Sequence, residues 1–154
     1  MFDEIIELYN KQLEKYKEIY TLLSIFEGEE EIDIDKYNEQ LQNISFDLEV
    51  IDKANQRVEQ LKEIYILKKN ITDFTKNEIE RIEDAEKFKL FNDIIKEIAE
   101  VIKNTKKLQD KIITKLNKQL SSFSNLLKEN EYAKKMAEGY VNISKSNNII
   151  DVKK

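Results

Sequence analysis

The chain has 154 residues, room for one domain, and its 40% apolar content is enough for a core. Histidine, cysteine and tryptophan are absent, which excludes disulfides, thiolate nucleophiles, zinc sites and histidine acid–base catalysis. The net charge of −5 divides unevenly: residues 1–60 hold sixteen acids and six bases, whereas residues 61–154 hold fifteen acids and twenty bases. Halves of opposite charge attract one another if the chain folds back on itself.

Proline is absent, only Gly28 and Gly139 occur, and 37% of residues are charged, a profile that suits long helices. Phe2, Ile6, Tyr9, Leu13, Tyr16, Tyr20 and Leu23 alternate at spacings of four and three, the period of a coiled-coil seam. Ile5, Leu8, Ile19, Leu22 and Phe26 add a flanking stripe, so this first helix, from Asp3 to Glu27, is expected to touch two neighbours. Gly28 is expected to end it. The acidic stretch that follows lacks the alternating oxygen ligands and central glycine of an EF-hand and reads as a solvated turn, with Asp33 or Asp35 capping the next helix.

The second helix carries Tyr37, Leu41, Ile44, Leu48, Ile51, Asn55 and Val58 at the same spacing and continues to about residue 70. Asn55 then falls on the seam, either buried to fix register or placed where the seam drifts toward solvent. Between Asn70 and Lys87, Thr75 to Glu78 has capping-box form and Asp84 is a further candidate cap, so one or two short helices are expected. The third long helix, Phe88 to Glu129, carries Phe91, Ile94, Ile98, Val101, Thr105, Leu108 and Ile112. Its stripe then shifts by one position to Ile113, Leu116, Leu120, Phe123 and Leu127, the drift of a 3.6-residue helix against a 3.5-residue template. The predicted fold is all-α: an elongated antiparallel helical hairpin or bundle with three long helices and a short helical segment between the second and third. Residues 1–130 form its single domain, and 131–154 form a carboxyl-terminal tail expected to be mobile.

No cofactor or metal is expected. Two isolated glycines cannot build a nucleotide-binding loop, and di-iron ligation in a helical bundle needs histidine. Lys103, Lys106, Lys107, Lys111, Lys115 and Lys118 form a basic band, but with an acidic pI and little arginine the chain is not expected to bind nucleic acid. No apolar run reaches the length of a membrane span, and the amino terminus is acidic and unlike a signal peptide, so a cytoplasmic protein without stable membrane insertion is expected. Catalysis is not expected either, which leaves binding through apolar surface. Tyr132, Met136 and Tyr140 suit a docking segment that orders on a partner.

Three stretches carry a family resemblance: Leu13-Glu-Lys-Tyr-Lys-Glu-Ile-Tyr-Thr-Leu-Leu23, the acidic turn Glu27 to Tyr37, and the amphipathic helix Leu116 to Tyr140 that runs into a tail with a tyrosine beside a glycine. The chain resembles the FlgN-type flagellar export chaperones, which escort hook-junction proteins to the flagellar type III export apparatus. It departs from their pattern where Asp110-Lys-Ile-Ile113 replaces an Asn-rich segment and where the tail is poorer in glycine. The resemblance implies a cytoplasmic, non-catalytic chaperone, a monomer or weak homodimer. Its carboxyl-terminal helix would clamp an amphipathic terminus of a secreted hook-junction protein through Leu116, Leu120, Phe123, Leu127, Tyr132, Met136 and Tyr140. The alternatives are a FliT-type filament-cap chaperone, or a structural or adaptor coiled coil with no secretion client.

Overall fold

The computed structural model describes the backbone of residues 1–146 and the side chains of residues 1–136 and 138. It is all-α, with α1 (Phe2–Ser24), α2 (Ile34–Lys69), a short α3 (Lys76–Ile82) and α4 (Ala85–Ser146). The three long helices and the short one between the second and third follow the predicted order. The chain divides into two compact units, Met1–Ile112 and Ile113–Lys154, and α4 enters both.

In the first unit, side-chain pairs set the helix directions. Glu4 meets Arg57 at 3.2 Å and Lys15 meets Asp47 at 3.8 Å, so α1 and α2 run antiparallel. Asp3–Lys87 at 3.1 Å, Lys17–Glu97 at 2.8 Å and Glu27–Lys111 at 3.9 Å climb in step, so the first part of α4 runs parallel to α1. Two of these three join the acidic first sixty residues to the basic remainder, as the charge asymmetry predicts; Lys17–Glu97 has the opposite polarity. These three lie in solvent and contribute little to stability. Burial of the apolar stripes holds the unit together.

An aromatic cluster anchors the first-unit core. Phe2 packs on Phe91 at 5.3 Å between ring centroids and on Tyr65 at 6.0 Å, and Tyr9 and Phe74 meet Phe91 edge-on. Val58, Leu61, Ile79 and Ile94 complete the cluster. Ile79 explains why a helix as short as α3 persists. Its side chain is buried against the core while Thr75 caps the amino end, accepting from the Glu78 backbone N–H at 3.4 Å.

Four local expectations are corrected. The first concerns Gly28. α1 ends at Ser24, ahead of Gly28, which does not adopt a positive φ; Phe26 and Ile32 are instead buried around the turn. The left-handed residue is Asn70, at φ 52°, whose N–H closes α2 on Ile66 and Leu67. The second concerns the α2 seam, which runs through Ile44, Asp47, Ile51, Ala54, Val58, Leu61 and Tyr65. Leu41, Leu48 and Asn55 lie one position away from it and are exposed. The 4-3 rhythm was legible, but Asp47 and Ala54 are too polar and too small to mark the face they occupy. The third is the end of α4, which continues past Glu129 to Ser146, with Gly139 inside the helix. The fourth concerns Tyr132 and Met136. On an uninterrupted helix, the five-residue step from Leu127 to Tyr132 turns the side chain roughly 140° away. Tyr132 and Met136 therefore do not extend the Leu120–Leu127 stripe.

Asp33 caps α2, accepting from the Lys36 backbone N–H at 3.2 Å. The tail expected over 131–154 lies within α4 as far as Ser146, and residues 147–154 fall outside the described ones.

Candidate partner-binding surface

The second unit contains one described element, the segment of α4 from Ile113 onward. Most of its large apolar residues are exposed, on a helix with no packed neighbour among the described residues of that unit. At about 100° per residue, Leu116, Leu120, Phe123 and Leu127 share one face. Leu116 is half-buried, Leu120 is 67% exposed, Phe123 is 59% exposed, and Leu127 is exposed. Leu126 is exposed beside them and widens the face; the Leu126-Leu127 pair was its only sequence signal. Large apolar side chains this exposed at helical spacing are far more often an interaction surface than chance decoration.

Tyr132 is 68% exposed and Met136 is exposed, and together they mark a second stripe on the other side of the helix. The side chain of Tyr140 lies outside the described ones, although its backbone belongs to α4. The seven predicted residues thus fall on one helix but on two faces. Only Leu116, Leu120, Phe123 and Leu127 are brought together.

Charge frames the first face. From Lys111 to Lys128 the helix carries Lys111, Lys115, Lys118 and Lys128 and no acid. A surface of this kind favours an occupant that is apolar along one stripe and acidic at its margins.

A second recess lies within the first unit, between α1 and α2. It has a volume near 570 Å³ and is lined by Gln12 and Tyr16 of α1 and by Leu48, Glu49, Asp52 and Asn55 of α2, among others. Gln12 is only 5% exposed, and its Nε2 has no hydrogen-bond partner. A buried amide donor left unpaired carries a desolvation cost that an incoming acceptor relieves. Sequence reasoning missed this recess, because Gln12 sits beside the apolar seam and looks like a solvated position.

Among the described residues no group of three or more His, Cys, Asp or Glu is arranged to hold a metal ion, and no helix is long and apolar enough to cross a membrane. Burial raises the pKa of Tyr65, as does its 2.6 Å hydrogen bond to Glu83, so its phenol stays protonated and structural. In comparisons with known proteins, no family model, no curated protein and no solved structure matches the chain.

Proposed function

We propose that the chain is a non-catalytic binding protein of the cytoplasm. In this reading the α4 face Leu116–Leu127 receives an amphipathic helix from a partner, in the manner of an export chaperone. The observation that carries the reading is the exposure of Leu120, Phe123, Leu126 and Leu127 on a helix segment with no packed neighbour among the described residues of its unit. An apolar stripe on a preformed helix is one half of a helix-to-helix docking site; the partner supplies the other half and removes both stripes from water. Four such side chains, largely removed from water, contribute several kcal/mol at roughly 1.5–3 kcal/mol each before the cost of association. That is enough to hold a client segment soluble and release it later.

The client's identity rests on the resemblance to FlgN-type chaperones, which makes the terminus of a secreted flagellar hook-junction protein, and behind it the export apparatus, the first partners to test. Purified hook-junction proteins are mixed with the intact chain and with a Leu120→Ala/Phe123→Ala/Leu127→Ala variant, and complexes are separated by size. The reading predicts a complex with the intact chain and about tenfold or greater weakening in the variant. Equal retention by both removes this face from the mechanism, and no retention by the intact chain removes the client.

A further inference from the structure

The recess between α1 and α2 and the acid-free apolar segment of α4 are complementary, and we infer that the α4 segment of one copy docks into the α1–α2 recess of a second copy. The inference goes beyond client binding: it shares the α4 face with that reading and adds the recess, which client binding does not use.

Three properties of the recess point to a helical occupant. Its floor is apolar where Ile51 and Leu48 lie, and Leu48 is 49% exposed although it sits in the middle of a long helix. Its margin carries the carboxylates of Glu49 and Asp52, within a first sixty residues that hold ten more acids than bases. On its α1 side, the buried Gln12 Nε2 lacks an acceptor. Every residue lining the recess comes from α1 or α2.

The α4 segment answers each property. Leu116, Leu120, Phe123 and Leu127 supply the apolar stripe. The stretch from Lys111 to Lys128 supplies positive charge with no acid to oppose the carboxylates. Asn117 and Ser124 lie at the edge of the stripe, about 40–120° from its members, and bring side-chain acceptors of the kind the Gln12 amide needs. Opposite charges across the two surfaces steer the encounter and fix its orientation, while the apolar contact provides the affinity. The two surfaces are different patches of one chain, so each copy contributes a recess to one contact and a segment to another. An α4 face held in this way is closed to any other helix, so partner capture and self-association compete.

Analytical ultracentrifugation over a wide concentration range, at low and high salt, tests the inference. Two single variants are compared with the parent: Leu48→Arg in the recess and Phe123→Glu on the segment. Both positions are exposed, and circular dichroism with a thermal melt checks that each variant is folded; Asp52→Lys replaces Leu48→Arg if that variant unfolds. The parent is expected to associate with rising concentration, and high salt is expected to weaken the association. Each variant alone is expected to associate about tenfold more weakly or less. An equal mixture of the two is expected to recover a heterodimer, because one chain keeps an intact recess and the other an intact segment. A parent that stays monomeric throughout overturns the inference. So does a variant that associates like the parent, or a mixture no stronger than its components.

Discussion

Asp47 is the only buried carboxylate among the described residues, placed on the α2 seam opposite Lys15. Burial raises its pKa above the ordinary 3.8, the neighbouring Glu18 raises it further, and Lys15 pulls the other way. A carboxyl whose folded pKa is raised binds its proton more tightly in the folded state than in the unfolded one. Its favourable share of stability is therefore complete below the unfolded value and is lost as pH climbs through the folded one. Asp47→Asn should accordingly melt higher than the parent at pH 7, with the difference shrinking as pH falls toward the ordinary carboxyl range. Thermal melts at several pH values check this, and a lower melting temperature at pH 7 would show that the Lys15 pair outweighs burial. Tyr65 makes a simpler case. Its ring belongs to the aromatic cluster and its hydroxyl donates to Glu83, so Tyr65→Phe keeps the packing and removes one hydrogen bond to a charged group. The expected loss is roughly 1–2 kcal/mol in urea denaturation; an unchanged midpoint would mean that water already serves Glu83.

At the scale of the helix, Asn70 sets where α2 stops. Its φ of 52° is tolerated by Asn and Gly but crowds the Cβ of other residues against the carbonyl. Asn70→Ala should destabilise the protein by about 1 kcal/mol while Asn70→Gly leaves it unchanged or slightly stabilised. Equal losses from the two would place the effect in the side-chain amide instead. Helix termini show how far the sequence could be read. Asp33 and the Thr75–Glu78 box were legible because capping needs a short oxygen-bearing side chain at a fixed offset. Asn70 was not identified as a cap, since nothing local separates a left-handed Asn from an exposed helical one. The α2 seam was displaced for a related reason. The 4-3 spacing marked Leu48 and Asn55 as candidates, but packing selects by position, and it buries Ala54 and Asp47 instead. The candidate face was legible in Leu116, Leu120, Phe123 and Leu127, whose spacing suffices on one straight helix. The continuation to Tyr132 and Met136 failed because α4 runs unbroken through Leu127 and Tyr132, so the five-residue step between them carries those side chains round the helix.

At the scale of the whole molecule, the two units differ in what their apolar residues do. In Met1–Ile112, the large apolar side chains of α1, α2, α3 and early α4 close on one another, and Ile112 is fully buried. In the unit that begins at Ile113, comparable side chains at the same helical spacing face water. Core residues lose about 2–5 kcal/mol when truncated to alanine, whereas exposed ones lose little, because no cavity forms and no buried surface is given up. The central claim is that Leu120, Phe123 and Leu127 form a docking face and are no part of the core. The most direct test is thermal unfolding of the free protein, dilute enough that copies are apart, comparing the parent with the triple alanine variant at those positions and with Ile112→Ala. The account predicts that the triple variant melts within about 2 °C of the parent, while Ile112→Ala alone lowers the melting temperature by several degrees, at about 2–4 °C per kcal/mol. A triple variant that melts as far below the parent as Ile112→Ala would make these residues core and contradict the account.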